Sequence, residues 1–409
     1  MRGMKSHPLA AYPAAWTICP MRFLLAFAQG GVLSPLLPLL REAFHVSYGE
    51  LGLLISMFGL SRVAMDLMAA YLLSRVPLFR LLLLGIIITG SGALLCAFAP
   101  GFNWLVGARV LVGLGSSMTT LAGLTVIIES TPLAAQGRAN NLLEFSAIGG
   151  SAVSPTLSGL MASLIHWRAA FALSALFVVG AFAWVLFTRQ ALEEDTCALT
   201  RKSAPNDDTV PRRPPPEDKT AARPSHMTAI LIAYLAAFIL SFTWSGFLST
   251  AMPLYGGEVV GVSTSTLGMV FTAGLLVDLA LLLPVGWLSD RYDYRIVLAP
   301  AMLLMALVLA WFPQAQGLWG LLLVSIGLHA SFAVWGLPSA ALAQLAHGGR
   351  LRRMMGGYRF LVDGAVVVAP WLIGTLVGRY GYELPSWITA AGVLVTAVLV
   401  MYGLHLARE

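Results

Sequence analysis

Charge is what this sequence has least of. Asp, Glu, Lys and Arg make up 11% of its 409 residues, whereas a soluble globular chain carries about 25%. A chain this long with so few charges cannot cover a water-facing surface, which excludes an ordinary soluble protein and makes the bilayer its solvent. Cysteine is also scarce: Cys19, Cys96 and Cys197 lie scattered along the chain. That excludes a disulfide framework and a thiolate metal site. No G-x-x-x-x-G-K-[ST] stretch is present, so the chain carries no phosphate-cradling loop for ATP. H-E-x-x-H and G-x-S-x-G are absent as well, and no other catalytic constellation takes their place. An enzyme is therefore not expected, nor any cofactor or metal.

What is present is apolar length. Hydrophobic residues make up 58% of the chain and the mean hydropathy is +0.80. Spanning a bilayer as a helix takes about 20 mainly apolar residues. Twelve stretches qualify: Met21–Leu40, Glu50–Leu73, Arg80–Ala99, Asn103–Ile128, Asn141–Leu164, Arg168–Thr188, Met227–Leu254, Ser263–Leu288, Arg295–Pro313, Gly317–Leu345, Gly357–Gly378 and Pro385–Leu406. Continuous apolar runs favour helices over the short alternating strands of a barrel. Residues 1–20, with Arg2 and Lys5 but no clean cleavage site, read as a cytoplasmic tail. Residues 407–409 read as a cytoplasmic C-terminus.

The distribution of basic residues orients this array. With the N-terminus inside, the inner loops, tails and helix edges hold nineteen of the 25 Lys and Arg; the outer side holds Arg41, Arg168 and Arg379. Such a bias is the positive-inside pattern and places both termini in the cytoplasm, in a plasma (cytoplasmic or inner) membrane. It also accounts for the net charge of +6 without any nucleic-acid partner. Residues 189–226, with the run VPRRPPPEDK, read as a flexible cytoplasmic linker. It separates a six-helix bundle at 21–188 from a second at 227–406.

The two halves repeat one another at an offset of about 215 residues. Ser34 and Pro38 recur as Ser249 and Pro253, SYGELG from Ser47 as STSTLG from Ser263, Arg75 as Arg291, and Trp104 as Trp319. Phe145, Gly149, Pro155 and Gly159 recur as Phe360, Gly364, Pro370 and Gly374. A parallel repeat of six helices implies an all-α membrane protein of two bundles, related by a pseudo-two-fold axis along the membrane normal.

Local motifs then point to a family. GWLSDRYDYR, from Gly286 to Arg295, resembles the signature G-x-L-x-D-R-x-G-R-[RK] of the major facilitator superfamily. Gly286, Leu288, Asp290 and Arg291 fit it, and Asp293 replaces the second glycine. The first-half counterpart, Ala70 to Arg80, keeps Leu72 and Arg75 but has Ser74 and Pro77 where Asp and Gly belong. RVLVGLG, Arg109 to Gly115, resembles the family's arginine motif, and GSAVSPTLSG, Gly150 to Gly159, its antiporter-associated motif with Ser154 and Ser158 in place of glycines. The resemblance implies secondary transport of a small organic solute by alternating access, by a protein working mostly as a monomer. The arginine motif implies proton coupling. Whether the direction is uptake of an organic acid or similar metabolite, or efflux of an amphipathic drug, stays open. A membrane receptor that keeps the fold without transporting is the reading from another class.

Ionisable residues inside a membrane segment are functional candidates by default. Arg62 and Asp66, and again Arg359 and Asp363, stand four apart on one helix face. An intrahelical ion pair is one reading. Together with Arg75, Gly286, Asp290 and Arg291, these residues are also gating candidates, because the resemblance places the second and eleventh helices at the bundle interface. Arg109, Asp278, Glu144, His329, Arg62 and Gln29 are candidates for solute binding or proton coupling. Burial disfavours the charged form of a carboxylate, and Asp278, nearest mid-membrane, is the preferred coupling group. Glu144 is expected in a comparable setting or beside a basic partner at the inner edge. Trp244 and Trp335 are mid-helix aromatics, for lining a cavity or for packing. Pro155 and Pro370 are expected to bend their helices.

Overall fold

Apolar sequence in lipid must satisfy its backbone internally, and every regular element among the described residues is a helix. The computed structural model describes residues 13–131, 136–189, 224–345 and 348–403. The expected linker at 189–226 and C-terminus at 407–409 fall largely outside these residues, but of the expected N-terminal tail at 1–20, residues 13–20 are helical and open the first helix rather than forming a tail. The helices are α1 (Pro13–Ala26), α2 (Leu37–Phe44), α3 (Tyr48–Arg75), α4 (Leu78–Ala97), α5 (Phe102–Ser130), α6 (Gln136–Leu164) and α7 (Trp167–Phe187). After residue 223 come α8 (Pro224–Thr243), α9 (Met252–Glu258), α10 (Thr264–Arg291), α11 (Tyr294–Trp311), α12 (Gly317–Phe332), α13 (Leu337–Leu345), α14 (Gly348–Tyr380) and α15 (Glu383–Gly403). Eleven segments among the described residues are long and apolar enough to cross a membrane. Helix α6 is as long as the others, but its first turns carry Gln136, Arg138, Asn140, Asn141 and Glu144.

Three expected helices are interrupted. The first and seventh widen into π-helical turns at Phe27–Gly31 and Trp244–Ala251, at corresponding places in the repeat. In the second of these the Thr250 hydroxyl donates to the Ser245 carbonyl at 2.8 Å, five residues back. In the first, the buried Ser154 hydroxyl of α6 donates to the Phe27 carbonyl at 2.7 Å. Ser154→Ala is expected to lower stability by about 0.6 kcal/mol and at most ~1.7, read as a fall in the thermal unfolding midpoint in detergent.

The expected helix 317–345 breaks at residues 333–336. Pro338 has no N–H for the Val334 carbonyl, which accepts from Leu337 N at 2.9 Å instead.

The chain divides into two compact units. Unit 1 is Met1–Phe44, Met57–Asp207 and Ser263–Thr272; unit 2 is His45–Ser56, Asp208–Val262 and Ala273–Glu409. The first turns of α3 thus belong to unit 2, and the first turns of α10 to unit 1. In unit 1 the core is built by α1, α4, α5 and α7, with Met21, Leu25, Leu81, Leu82, Met118 and Val178 fully or nearly fully buried.

Each unit contains a helix crossing of the same design. In unit 2, a Cβ at Gly52 would overlap the Pro370 carbonyl of α14, and one at Gly374 would overlap the Tyr48 carbonyl of α3. In unit 1, a Cβ at Gly268 would overlap the Pro155 carbonyl of α6, and one at Gly159 the Thr264 carbonyl of α10. These glycines and prolines correspond under the repeat. The absence of a side chain lets backbone touch backbone. Pro155 and Pro370, expected as bends, lie within helices that continue through them and present the carbonyls the glycines meet. Thr272 seals the unit 1 crossing, donating to the Ala152 carbonyl at 2.6 Å and accepting from the Thr156 hydroxyl at 2.7 Å.

Candidate functional site

Unit 1 carries buried positive charge. Arg109, on the second turn of α5, is 4% exposed. Its guanidinium lies 4.7 Å from the centre of the Phe58 ring on α3, and its buried Nε has no hydrogen-bond partner among the described residues. Arg62, one turn beyond Phe58, lies 5.9 Å from the same ring. Asp66 accepts a hydrogen bond from the Ser117 hydroxyl of α5. Gln29, in the π turn, accepts from Arg22 Nη1 at 3.2 Å, and the same nitrogen donates to Thr120 Oγ1 at 3.0 Å. The Gln29 Nε2 is buried without a partner among the described residues.

Arg22 is the second residue of the expected span Met21–Leu40, and so counts among the basic residues at the inner helix edges. Because α1 already begins at Pro13, Arg22 lies more than two turns inside it and is partly buried. The i, i+7 spacing to Gln29, two turns on one face, was the signal available for it. Glu144 is exposed, whereas Asp278 is buried; the comparable setting expected for the two does not hold. Arg75 is exposed, its guanidinium 5.6 Å from the Tyr71 ring.

Arg109 offers a separation of stability from function. Replacing buried ionic groups by apolar ones is often neutral or stabilising by about 1–4 kcal/mol. Arg109→Met is therefore expected to raise the thermal unfolding midpoint while lowering solute flux. A fall in both would mark Arg109 as a packing residue.

Unit 2 carries a buried acid beside aromatic rings. Asp278, midway along α10, is 7% exposed, and among the described residues it has no recorded hydrogen bond or ion pair. One turn earlier on the same face, Gly274 abuts α12: a Cβ there would stand 2.5 Å from Ser325 Oγ and 2.7 Å from His329 Cε1. His329 is buried, and its Nδ1 lies 2.8 Å from the Ser325 carbonyl. A carbonyl only accepts, so Nδ1 carries the proton and Nε2 is the ring's acceptor. The Trp244 ring stands edge to face with His329, Phe332 and Trp335 at centroid distances of 5.7, 5.0 and 6.0 Å. Phe332 had not been singled out from sequence, since one apolar residue in an apolar run gives no signal.

The remaining candidates are placed as follows. Arg359 Nε bonds Asp363 Oδ2 at 2.9 Å, the intrahelical pair that four-residue spacing favours. Gly286 and Arg291 are exposed at the end of α10, where the Arg291 guanidinium lies 5.5 Å from the Trp287 ring. A Cβ at Gly286 would meet nothing within 4 Å. The Asp290 side chain lies outside the described residues.

The comparisons agree with this architecture. The profile described as Major Facilitator Superfamily matches residues 19–264 and 230–408. The drug efflux pump JefA of Mycobacterium tuberculosis is 25% identical over 164 residues, covering 40% of this chain and 32% of that protein. The methyl viologen resistance protein SmvA of Salmonella typhimurium is 30% identical over 153 residues, covering 36% of this chain and 30% of that protein. The chain thus spans about a third of the length of these two relatives. The uncharacterized transporter YybO of Bacillus subtilis is 24% identical over 392 residues, 89% of this chain and 87% of that protein. Among solved structures, the peptide transporter POT in complex with sulfate superposes with a TM-score of 0.78 at 14% identity, covering 100% of this chain and 96% of that one. A D-xylose–proton symporter superposes at 0.75 and 15% identity, covering 96% and 98%.

Proposed function

Because the chain belongs to the major facilitator superfamily, we propose that it moves a small organic solute across the membrane by alternating access, coupled to protons at Asp278. The observation that carries this reading is a carboxylate buried midway along a spanning helix with no basic partner among the described residues. A charge at a helix centre costs about 2.5–3.5 kcal/mol on insertion scales. Taking up a proton removes that cost, so protonation and solute occupancy bias the same element toward one state or the other. Gly274 and His329 fix the carboxylate's surroundings from one turn away. Arg109 and the Arg22–Gln29–Thr120 cluster supply polar groups in unit 1 for a solute to contact.

Proton-driven efflux of a drug is the second reading, supported by the names of JefA and SmvA. Both readings put a monomer in a plasma (cytoplasmic or inner) membrane, with its termini on the basic, cytoplasmic side. The test is purified protein in vesicles holding a trapped pH dye, challenged with organic acids, sugars and organic cations. Protons moving with a solute support symport, and protons moving against it support antiport. Solute flux with no proton movement overturns the coupling.

A further inference from the structure

We infer that the solute is an organic cation, such as a flat aromatic or quaternary ammonium compound, held by the Asp278 carboxylate and the faces of Trp244 and Trp335. The inference deepens the transport reading above and rests on it. Consecutive spanning helices alternate in direction, so α10 and α12, separated by one such helix, run the same way. Gly274 sits against Ser325 and His329; Asp278, about 6 Å further along, is therefore level with Phe332 and the break at 333–336. Trp244, which opens the π turn of the neighbouring element, meets α12 at that same level through His329, Phe332 and Trp335.

The two departures from regular helix in this part of unit 2 thus converge on one carboxylate and one group of aromatic rings. Interrupted helices near mid-membrane are where transporters place their sites. The rings are not all packed away, since Trp335 is 36% exposed and Trp244 partly so. An indole face attracts a cation through its quadrupole, most strongly when water is excluded.

Among the described residues no basic side chain pairs with this carboxylate. Arg359 on α14 is engaged with Asp363. Among the described side chains, the other titratable groups on α8, α12 and α14 are Tyr234, His329 and Tyr358, with Arg379 and Tyr380 exposed at the far end of α14. Tyr234 donates to the Met354 carbonyl at 2.7 Å. A cation arriving at ionised Asp278 excludes a proton from it, and a proton arriving releases the cation. Sharing one carboxylate in this way couples the two in opposite directions.

The test compares methyl viologen with uncharged 4,4′-bipyridine, which has the same two rings. Binding to the full chain in lipid nanodiscs is measured by calorimetry and by quenching of tryptophan fluorescence. Methyl viologen is expected to bind at least about tenfold more tightly, a difference of ~1.4 kcal/mol. Asp278→Asn is expected to erase that preference. Trp335→Leu is expected to weaken methyl viologen, with Trp335→Tyr restoring most of the loss. Equal affinity for the two compounds, or a preference that survives Asp278→Asn, overturns the inference. If an anion or a neutral solute drives Asp278-dependent proton movement in vesicles while methyl viologen does not bind, the cation assignment falls and the transport reading stands. Proton-coupled flux of methyl viologen that Asp278→Asn leaves intact removes both.

Discussion

In vesicles with an imposed pH gradient, Asp278→Asn is expected to lose uphill solute accumulation by about 5–150-fold, the range that a coupling free energy of ~1–3 kcal/mol represents. The substitution keeps the size and shape of the side chain but removes its ability to exchange a proton. Asp278 has no recorded hydrogen bond or ion pair among the described residues, so no structural partner is stranded by the change. The unfolding midpoint is therefore expected to hold or rise, since an uncharged amide costs less to bury than a carboxylate. Unchanged midpoint with lost accumulation identifies a coupling group. Wild-type accumulation in the variant would exclude Asp278 from coupling, whatever the solute.

The largest stability effects are expected at the helix crossings. Gly52→Ala and Gly268→Ala each place a methyl group onto a proline carbonyl of the facing helix. A side chain in the way swings to another rotamer, but a backbone carbonyl has none, so the helices must part. Overpacking costs about 1–3 kcal/mol, and the two substitutions are expected to cost similar amounts because the crossings correspond under the repeat. Gly364→Ala serves as the control. It lies on α14 itself, nothing stands within 4 Å of its added Cβ, and helix propensity alone predicts a gain of ~0.8–1.0 kcal/mol. Thermal unfolding of the three variants in one detergent checks this. Equal behaviour at positions 52 and 364 would mean that the close approach does not matter.

Much of the architecture was legible because it follows from counting. Long apolar runs and recurring motifs such as Pro155 and Pro370 are one-dimensional signals, and the helices fall where they point. The interruptions were not legible in that way. Gly31 and Gly246 look like any small residues in a spanning helix, and the widening beside them is held by tertiary contacts such as Ser154 to Phe27. Pro338 did signal a break, yet a run as apolar as 317–345 reads as continuous when only hydropathy is followed.

The candidate site was half legible. Asp278, Arg109 and His329 stood out because charge in an apolar run is conspicuous. Arg22 was misplaced because the start of its helix was drawn from hydropathy, which discounts Pro13 to Pro20. The aromatic group was only partly visible: Trp244 and Trp335 were noted one at a time, and nothing in spacing brings residue 244 to residue 332. Asp66 with Ser117 is similar, since the hydroxyl that meets the acid lies on another helix.

The ownership of two helix ends bears on how the gene could be divided. Residues 45–56 are encoded in the first half but complete unit 2, and residues 263–272 are encoded in the second half but complete unit 1. A polypeptide ending within 190–223 therefore carries away a piece its counterpart needs and lacks a piece its counterpart holds. Made as separate fragments, each half is expected to leave its glycine-and-proline surface uncovered until the other is supplied.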